Sequence, residues 1–420
     1  MKKWLLGNEE TAKRSGVIWN LIASVINASE AVLILAIASR TIGIEESGTY
    51  TIGFALANLM MCVGKYGVRN YQVTDVLHEY NFREYRISRI ITVSLMLLGT
   101  ALYVLPHIID KSYTLEKTLI IVFFSVIYAI EAYEDVYLAA FQNMGRLDIG
   151  TKMFSLRWFI ILLVWSVMLW LTSSAFNSLL FALIIGIIVE LFLLMLVRNN
   201  IQAIGEAPRN NQVKKIMKTC FPLCIISTLS IYMPNAARYA IDYFGTEKEL
   251  AYYGYIAMPV FAIDLLCFVI FQPLMVDLAK TWKTDKKKFS KMIYRMSWIV
   301  LAVSCISLVL AYFLGIPILS ILYSASLDFL KSEFMVLIIG GSFLAYIGWF
   351  SSLLTIMRKQ KYLIAPYATI SILVFLSLLI NKCKYGIMGT AIINSAGIAL
   401  LAFILGVICV LFINKNKKEA

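Results

Sequence analysis

Twelve apolar runs, each 20–28 residues long, follow one another along the chain at 16–39, 49–68, 88–108, 118–139, 153–173, 178–197, 218–241, 250–274, 294–314, 333–356, 362–381 and 386–413. A helix needs about 20 apolar residues to cross the hydrocarbon core of a bilayer. Inside that core there is no water to bond the backbone, so runs this long satisfy their own N–H and C=O groups as helices. Composition agrees. Of 420 residues, 60% are hydrophobic and 15% charged, against about 45–50% and about 25% in soluble domains. A chain so composed could not cover its apolar surface in water. It reads as an all-α integral membrane protein with twelve transmembrane helices.

Charge sets the expected sidedness. Net charge is +13, which in a soluble protein would point to nucleic acid. Here the basic residues should lie mainly in the connections between runs, and no nucleic-acid partner is expected. With the N-terminus placed in the cytoplasm, alternate connections collect 30 of the 38 Lys and Arg residues on the inner side. That asymmetry predicts both termini in the cytoplasm of a multi-pass membrane protein. Outer connections are short, the longest being 315–332, and inner ones reach about 20 residues, so no folded domain outside the membrane is expected. The apolar stretch after Lys3 is only Trp4, Leu5 and Leu6, too short for a cleaved signal peptide.

The two halves resemble each other. Gly43, Glu45 and Tyr50 follow the first run, and Gly245, Glu247 and Tyr252 follow the seventh, 202 residues later. A basic break at 198–217 lies midway. Six spans is an even number, so the halves would share one orientation, a parallel repeat. The expected organisation is a six-helix bundle at 1–205 and a second at 206–420.

Arg40-Thr41-Ile42-Gly43 and Gly48-Thr49-Tyr50 resemble the first hairpin of the polysaccharide-biosynthesis flippases, the oligosaccharide repeat-unit exporters of the multidrug/oligosaccharidyl-lipid/polysaccharide transporter superfamily. Tyr385-Gly386-Ile387-Met388-Gly389-Thr390-Ala391 is similar to that family's Gly-x-x-Gly-Ala entry to the last span, with Thr390 where Ala is common. The resemblance implies two six-helix bundles around a central cavity open alternately to either side. It also implies an undecaprenyl-pyrophosphate-linked oligosaccharide as substrate, with membrane lipid and other polysaccharide-assembly proteins as partners and a bacterial cytoplasmic membrane as location.

Ionisable groups inside spans are costly, about 2.5–3.5 kcal/mol on insertion scales, and mark candidate sites. Glu30 lies halfway along the first run, with Asn20 and Asn27 at helical spacing on what the pattern reads as one face. Such a stripe serves as glue between helices, or as a cavity wall for sugar hydroxyls or a proton. Asn235, Arg238 and Asp242 share a face of the seventh run, after Pro234, which loosens the backbone ladder. A guanidinium there suits pyrophosphate geometry, and the alternative is a pair with Asp242. Arg40, at the end of the first run, is a candidate of the same kind. Asp264, Glu131 and Glu190 sit deep in their runs, whereas Glu134 and Asp135 read as near enough to the surface to be solvated. The expected substrate-binding set is Asn27, Glu30, Arg40, Asn235, Arg238 and Asp264. Tyr252, Tyr253 and Tyr255 read as an interfacial belt or as stacking groups for sugars.

No catalytic constellation accompanies these residues. There is no G-x-x-x-x-G-K-[ST] loop, no HExxH and no G-x-S-x-G elbow, and His78 and His107 are the only histidines. Seven cysteines include no CxxC pair. No cofactor or metal is expected, and no enzymatic step. The competing readings are an ion-coupled multidrug or small-molecule antiporter of the same superfamily, and a membrane polysaccharide polymerase, which would usually carry a large extracytoplasmic loop.

Overall fold

The computed structural model describes residues 1–75, 79–201, 209, 211–271 and 274–418. Each of the twelve apolar runs falls mainly in one long helix: α1 (Ala12–Thr41), α2 (Ile44–Lys65), α3 (Phe82–Ile109), α4 (Leu115–Asn143), α5 (Leu147–Thr172), α6 (Ala175–Val197), α7 (Gln212–Phe244), α8 (Glu247–Phe271), α9 (Lys286–Leu310), α10 (Lys331–Ile356), α11 (Lys361–Asn381) and α12 (Gly386–Lys418). Among the described residues there is no strand. His78 lies outside the described residues.

Local chemistry fixes the helix starts. Asn81 and Glu84 form a reciprocal capping box at α3, each side chain accepting from the other's backbone N–H at 2.9 Å. Thr114, Ser174 and Asp285 accept from the first-turn N–H groups of α4, α6 and α9. Both repeated Gly-x-Glu sets stand at a helix start, with Glu45 and Glu247 in the first turns of α2 and α8 and the glycines just ahead of them. One expectation is corrected. The ninth span does not stop near residue 314: α9 continues through a π turn, Ala311–Gly315, into a further helix, Ile316–Tyr323. The connection read as 315–332 is therefore largely helical.

Ten described helices are long and apolar enough to cross a membrane. The other two long helices are α2 and α4. Helix α4 carries Glu131, Glu134 and Asp135, and most of its residues are buried, as is the stretch of α2 from Ser47 to Ile52. A helix sheathed by other helices has no lipid to satisfy, so its side chains need not be apolar. The outer helices do the opposite: Ile184, Ile187, Ile188, Leu191, Phe192 and Met195 of α6 are all exposed, as lipid-facing residues should be.

Contacts divide the chain into two compact units, Met1–Thr228 and Leu229–Ala420. The 205/206 boundary expected from the basic linker lies outside the described residues. In the first unit α4 is central, packing on α2, α3, α5 and α6; in the second α10 packs on α8, α9 and α12. The fourth helix of each half thus has the second, third and sixth as neighbours. Small residues allow the closest approaches. A methyl group on Gly340 of α10 would lie 2.6 Å from Ser395 Oγ of α12, and one on Gly64 of α2 would meet Met96 Sδ of α3 at 2.7 Å.

Candidate functional site

Two buried polar assemblies stand out, one in each unit. In the first, the acids of α4 meet cations from its neighbours. Lys65 Nζ of α2 donates to Glu131 Oε1 at 2.7 Å, and Trp158 Nε1 of α5 donates to Glu131 Oε2 at 2.7 Å. Arg157 of α5 forks onto Glu134 Oε2 through Nε and Nη2 at 3.0 and 2.8 Å, with Glu190 of α6 at 3.5 Å. Asp135 takes two arginines, Arg89 of α3 at 2.8 Å and Arg69 at 2.9 Å, the latter in a short helix, Val68–Thr74. Arg89 and Thr92 also donate to the Gly64 carbonyl. Glu30 of α1, 2% exposed, accepts from the Tyr128 hydroxyl of α4.

This assembly corrects several sequence expectations. Glu134 and Asp135 are not solvated; they are 0% and 3% exposed. Arg89 and Arg157, which stand near the beginnings of their apolar runs, are fully buried partners of those acids. The expected polar face of α1 divides, with Asn20 and Asn27 exposed and Glu30 buried. Arg40 is exposed at the end of the same helix.

The second unit holds the opposite arrangement, a cation without an acid. Arg238 of α7 is 1% exposed. Its Nη1 donates to Asn235 Oδ1 at 2.8 Å, while Asn235 Nδ2 donates to the Ile231 carbonyl at 2.9 Å. The guanidinium lies 5.5 Å from the ring centre of Phe261 of α8. Its Nε and Nη2 have no hydrogen-bond partner, and no carboxylate lies within 4 Å of it among the described residues. The expected alternative, a pair with Asp242, is therefore not formed. Tyr253, Tyr239 and Tyr323 are close enough to Arg238 for their hydroxyls to act on its charge.

Those tyrosines change their reading. Tyr253 and Tyr255 of α8 are fully buried, so they are not an interfacial belt; Tyr255 stacks on Tyr323 at 4.3 Å. The hydroxyls of Tyr253 and Tyr323 and the Asn394 Oδ1 of α12 are buried without hydrogen-bond partners among the described residues. Beside them, Pro234, Tyr253, Phe261 and Asn394 line a narrow cavity with room for about one water molecule. Asn394 and Tyr323 escape sequence reasoning because a lone Asn or Tyr in an apolar run carries no spacing signal. Asp264, also on α8, is half-buried, with Oδ1 beside Gly348 and no hydrogen-bond donor among the described residues. The structure thus joins Asn235 with Arg238 in the second unit, whereas Asn27, Glu30 and Arg40 belong to the first. No group of three His, Cys, Asp or Glu residues is placed to hold a metal ion among the described residues.

Solved structures share this architecture. An inward-facing multidrug resistance MATE family transporter of the MOP superfamily matches with a TM-score of 0.64 at 12% identity, over 95% of this chain and 96% of its own. An outward-facing one gives 0.62 at 12% identity, over 99% and 98%. The chain has the fold of the MATE transporters. A MOP superfamily transporter from Pyrococcus furiosus, described with a binding pocket of reverse polarity that suggests a different function, matches at 0.61 with 14% identity over 99% and 98%. No family model and no curated protein matches the sequence. On this MATE fold the chain places a cluster of ion pairs in its first unit and a bare guanidinium in its second.

Proposed function

We propose that this chain is a flippase of the bacterial cytoplasmic membrane, with cytoplasmic termini, that carries a lipid-linked oligosaccharide across by alternating access for cell-surface polysaccharide assembly. The observation that carries the reading is Arg238, a buried guanidinium with two unused nitrogens and no acid beside it. The barrier to such a substrate is its pyrophosphate and sugars, which hydrocarbon excludes. A guanidinium in a low-dielectric site offers charge-assisted hydrogen bonds to phosphate oxygens, roughly twice as strong as neutral ones. Tyr253, Tyr323 and Asn394 supply further unused polar atoms nearby. Arg238 is covered in this conformation, and the alternation between states would uncover it. No bond is made or broken, so no catalytic group is called for.

A cation antiporter is the second reading, supported by the shared fold with MATE multidrug transporters and by Glu30, whose Oε2 is buried without a partner. Asn27, Arg40 and Asp264 remain secondary candidates for the substrate path. Proteoliposomes separate the readings. We expect flipping of undecaprenyl-pyrophosphate-linked oligosaccharide, reduced at least about tenfold by Arg238→Ala, as loss of one charged hydrogen bond gives, and less by Arg238→Lys, which keeps charge but not the fork. Efflux of lipophilic cations that is indifferent to Arg238, without flipping, would replace the first reading by the second.

A further inference from the structure

A groove of about 350 Å³ opens on the side of the first unit between α3, α4 and α6. Its walls are aliphatic, with Val93, Ile130, Ile187 and Leu191 among them, and its acid is Glu190. The volume is at the lower end of small-molecule sites, which run from about 300 to 1,000 Å³. Glu190 is 4% exposed, and neither carboxylate oxygen has a hydrogen-bond donor among the described residues. Its one ion-pair contact among the described residues is Arg157 Nε at 3.5 Å; that nitrogen already donates to Glu134 at 3.0 Å, and the Glu134 carboxylate itself acts on Glu190.

The surrounding cations serve Glu190 poorly. The ion-paired assembly sets Glu131, Glu134, Asp135 and Glu190 against Lys65, Arg69, Arg89 and Arg157. Two of the cations converge on Asp135, which leaves Arg157 facing three carboxylates, at 2.8, 3.5 and 3.9 Å. Glu190 is the member of this group that lines the groove. Its buried carboxylate lines an apolar slot on helices whose outer faces carry exposed aliphatic side chains.

We infer that this groove binds an amphiphilic ammonium, an alkyl chain ending in a protonated amine that enters from the lipid. The chain lies along Val93, Ile130, Ile187 and Leu191, and the ammonium donates to Glu190. The ammonium supplies the hydrogen-bond donors that the Glu190 carboxylate lacks. A neutral lipid chain would fill the slot and leave the acid bare. The site is independent of the Arg238 reading, lies in the other unit, and is tested by binding rather than transport.

The test is photolabelling of the full chain in lipid nanodiscs with a diazirine-bearing dodecylamine and, in parallel, the matching dodecanol. Labelled peptides are mapped by mass spectrometry. We expect the amine to label the groove segments of α3, α4 and α6 well above the alcohol. Glu190→Gln should reduce amine labelling at least about tenfold, the effect of one charge-assisted hydrogen bond, and leave alcohol labelling unchanged. Because Glu190 touches the ion-pair assembly, Ile187→Trp serves as a second variant; it fills the groove without altering charge and should suppress labelling by both probes. Equal labelling by amine and alcohol, amine labelling indifferent to Glu190→Gln, or groove labelling that survives Ile187→Trp would each overturn the proposal.

Discussion

A guanidinium removed from water loses several kcal/mol of solvation even after the protein relaxes around it. Arg238 regains part of this through one hydrogen bond to Asn235 and the face of Phe261. Arg157 sits at the other extreme, surrounded by carboxylates. The two should respond differently to substitution. Arg157→Ala strands Glu134 and should cost about 3–5 kcal/mol, seen as a large drop in thermal stability of the detergent-purified protein. An unchanged melting temperature would contradict the ion-pair assembly. Arg238→Ala removes a burden as well as a contact, so it should leave stability within about 1 kcal/mol while impairing transport. Arg238 and Asp242 should act additively in a double-mutant cycle, within about 0.5 kcal/mol; a larger coupling would mean that the two side chains do meet. The acids of the first unit were legible in the sequence as mid-span charges. Their burial was not, because Arg89 and Arg157 stand near the beginnings of apolar runs, where hydropathy cannot tell a loop cation from an inward-facing partner. Arg238 was legible because it lies well inside its run.

Every apolar run became a helix because length alone forces that outcome in hydrocarbon. Position in the bundle is another matter. Helices α2 and α4 are the two long helices too polar or too charged to qualify as spans by themselves, so the polarity that weakens their sequence signal goes with their buried stretches. The π turn in α9 had no signal either, since a one-residue change in winding leaves the apolar pattern intact. Close helix contacts depend on side chains that are missing. Gly340→Val would drive a branched side chain into Ser395 and should destabilise the α10–α12 contact by about 1–3 kcal/mol. The check is thermal stability and monodispersity in detergent, with Ser395→Gly as partial rescue. A fully stable Gly340→Val protein would show that the two helices are further apart than described.

For the molecule as a whole, exposed apolar surface is the solvent record. Cys305 of α9 is exposed among Leu301, Ile306, Val309 and Leu310, themselves 41–59% exposed. In a bilayer that thiol should resist a charged maleimide and react with an apolar one, read by intact mass. Equal reaction with the charged reagent would place this face of the chain in water. The first few residues carry a different kind of whole-molecule information. Lys2–Leu6 forms a short helix whose Leu5 is fully buried, while Arg146 donates to the Leu6 carbonyl and Lys152 Nζ to the Trp4 carbonyl at 3.2 Å. A ribosome adds roughly 5–20 residues each second, so Lys2–Leu6 must wait on the order of ten to thirty seconds for residues about 140 positions later. Until those residues are made, Leu5 has no buried seat and the segment is open to other contacts.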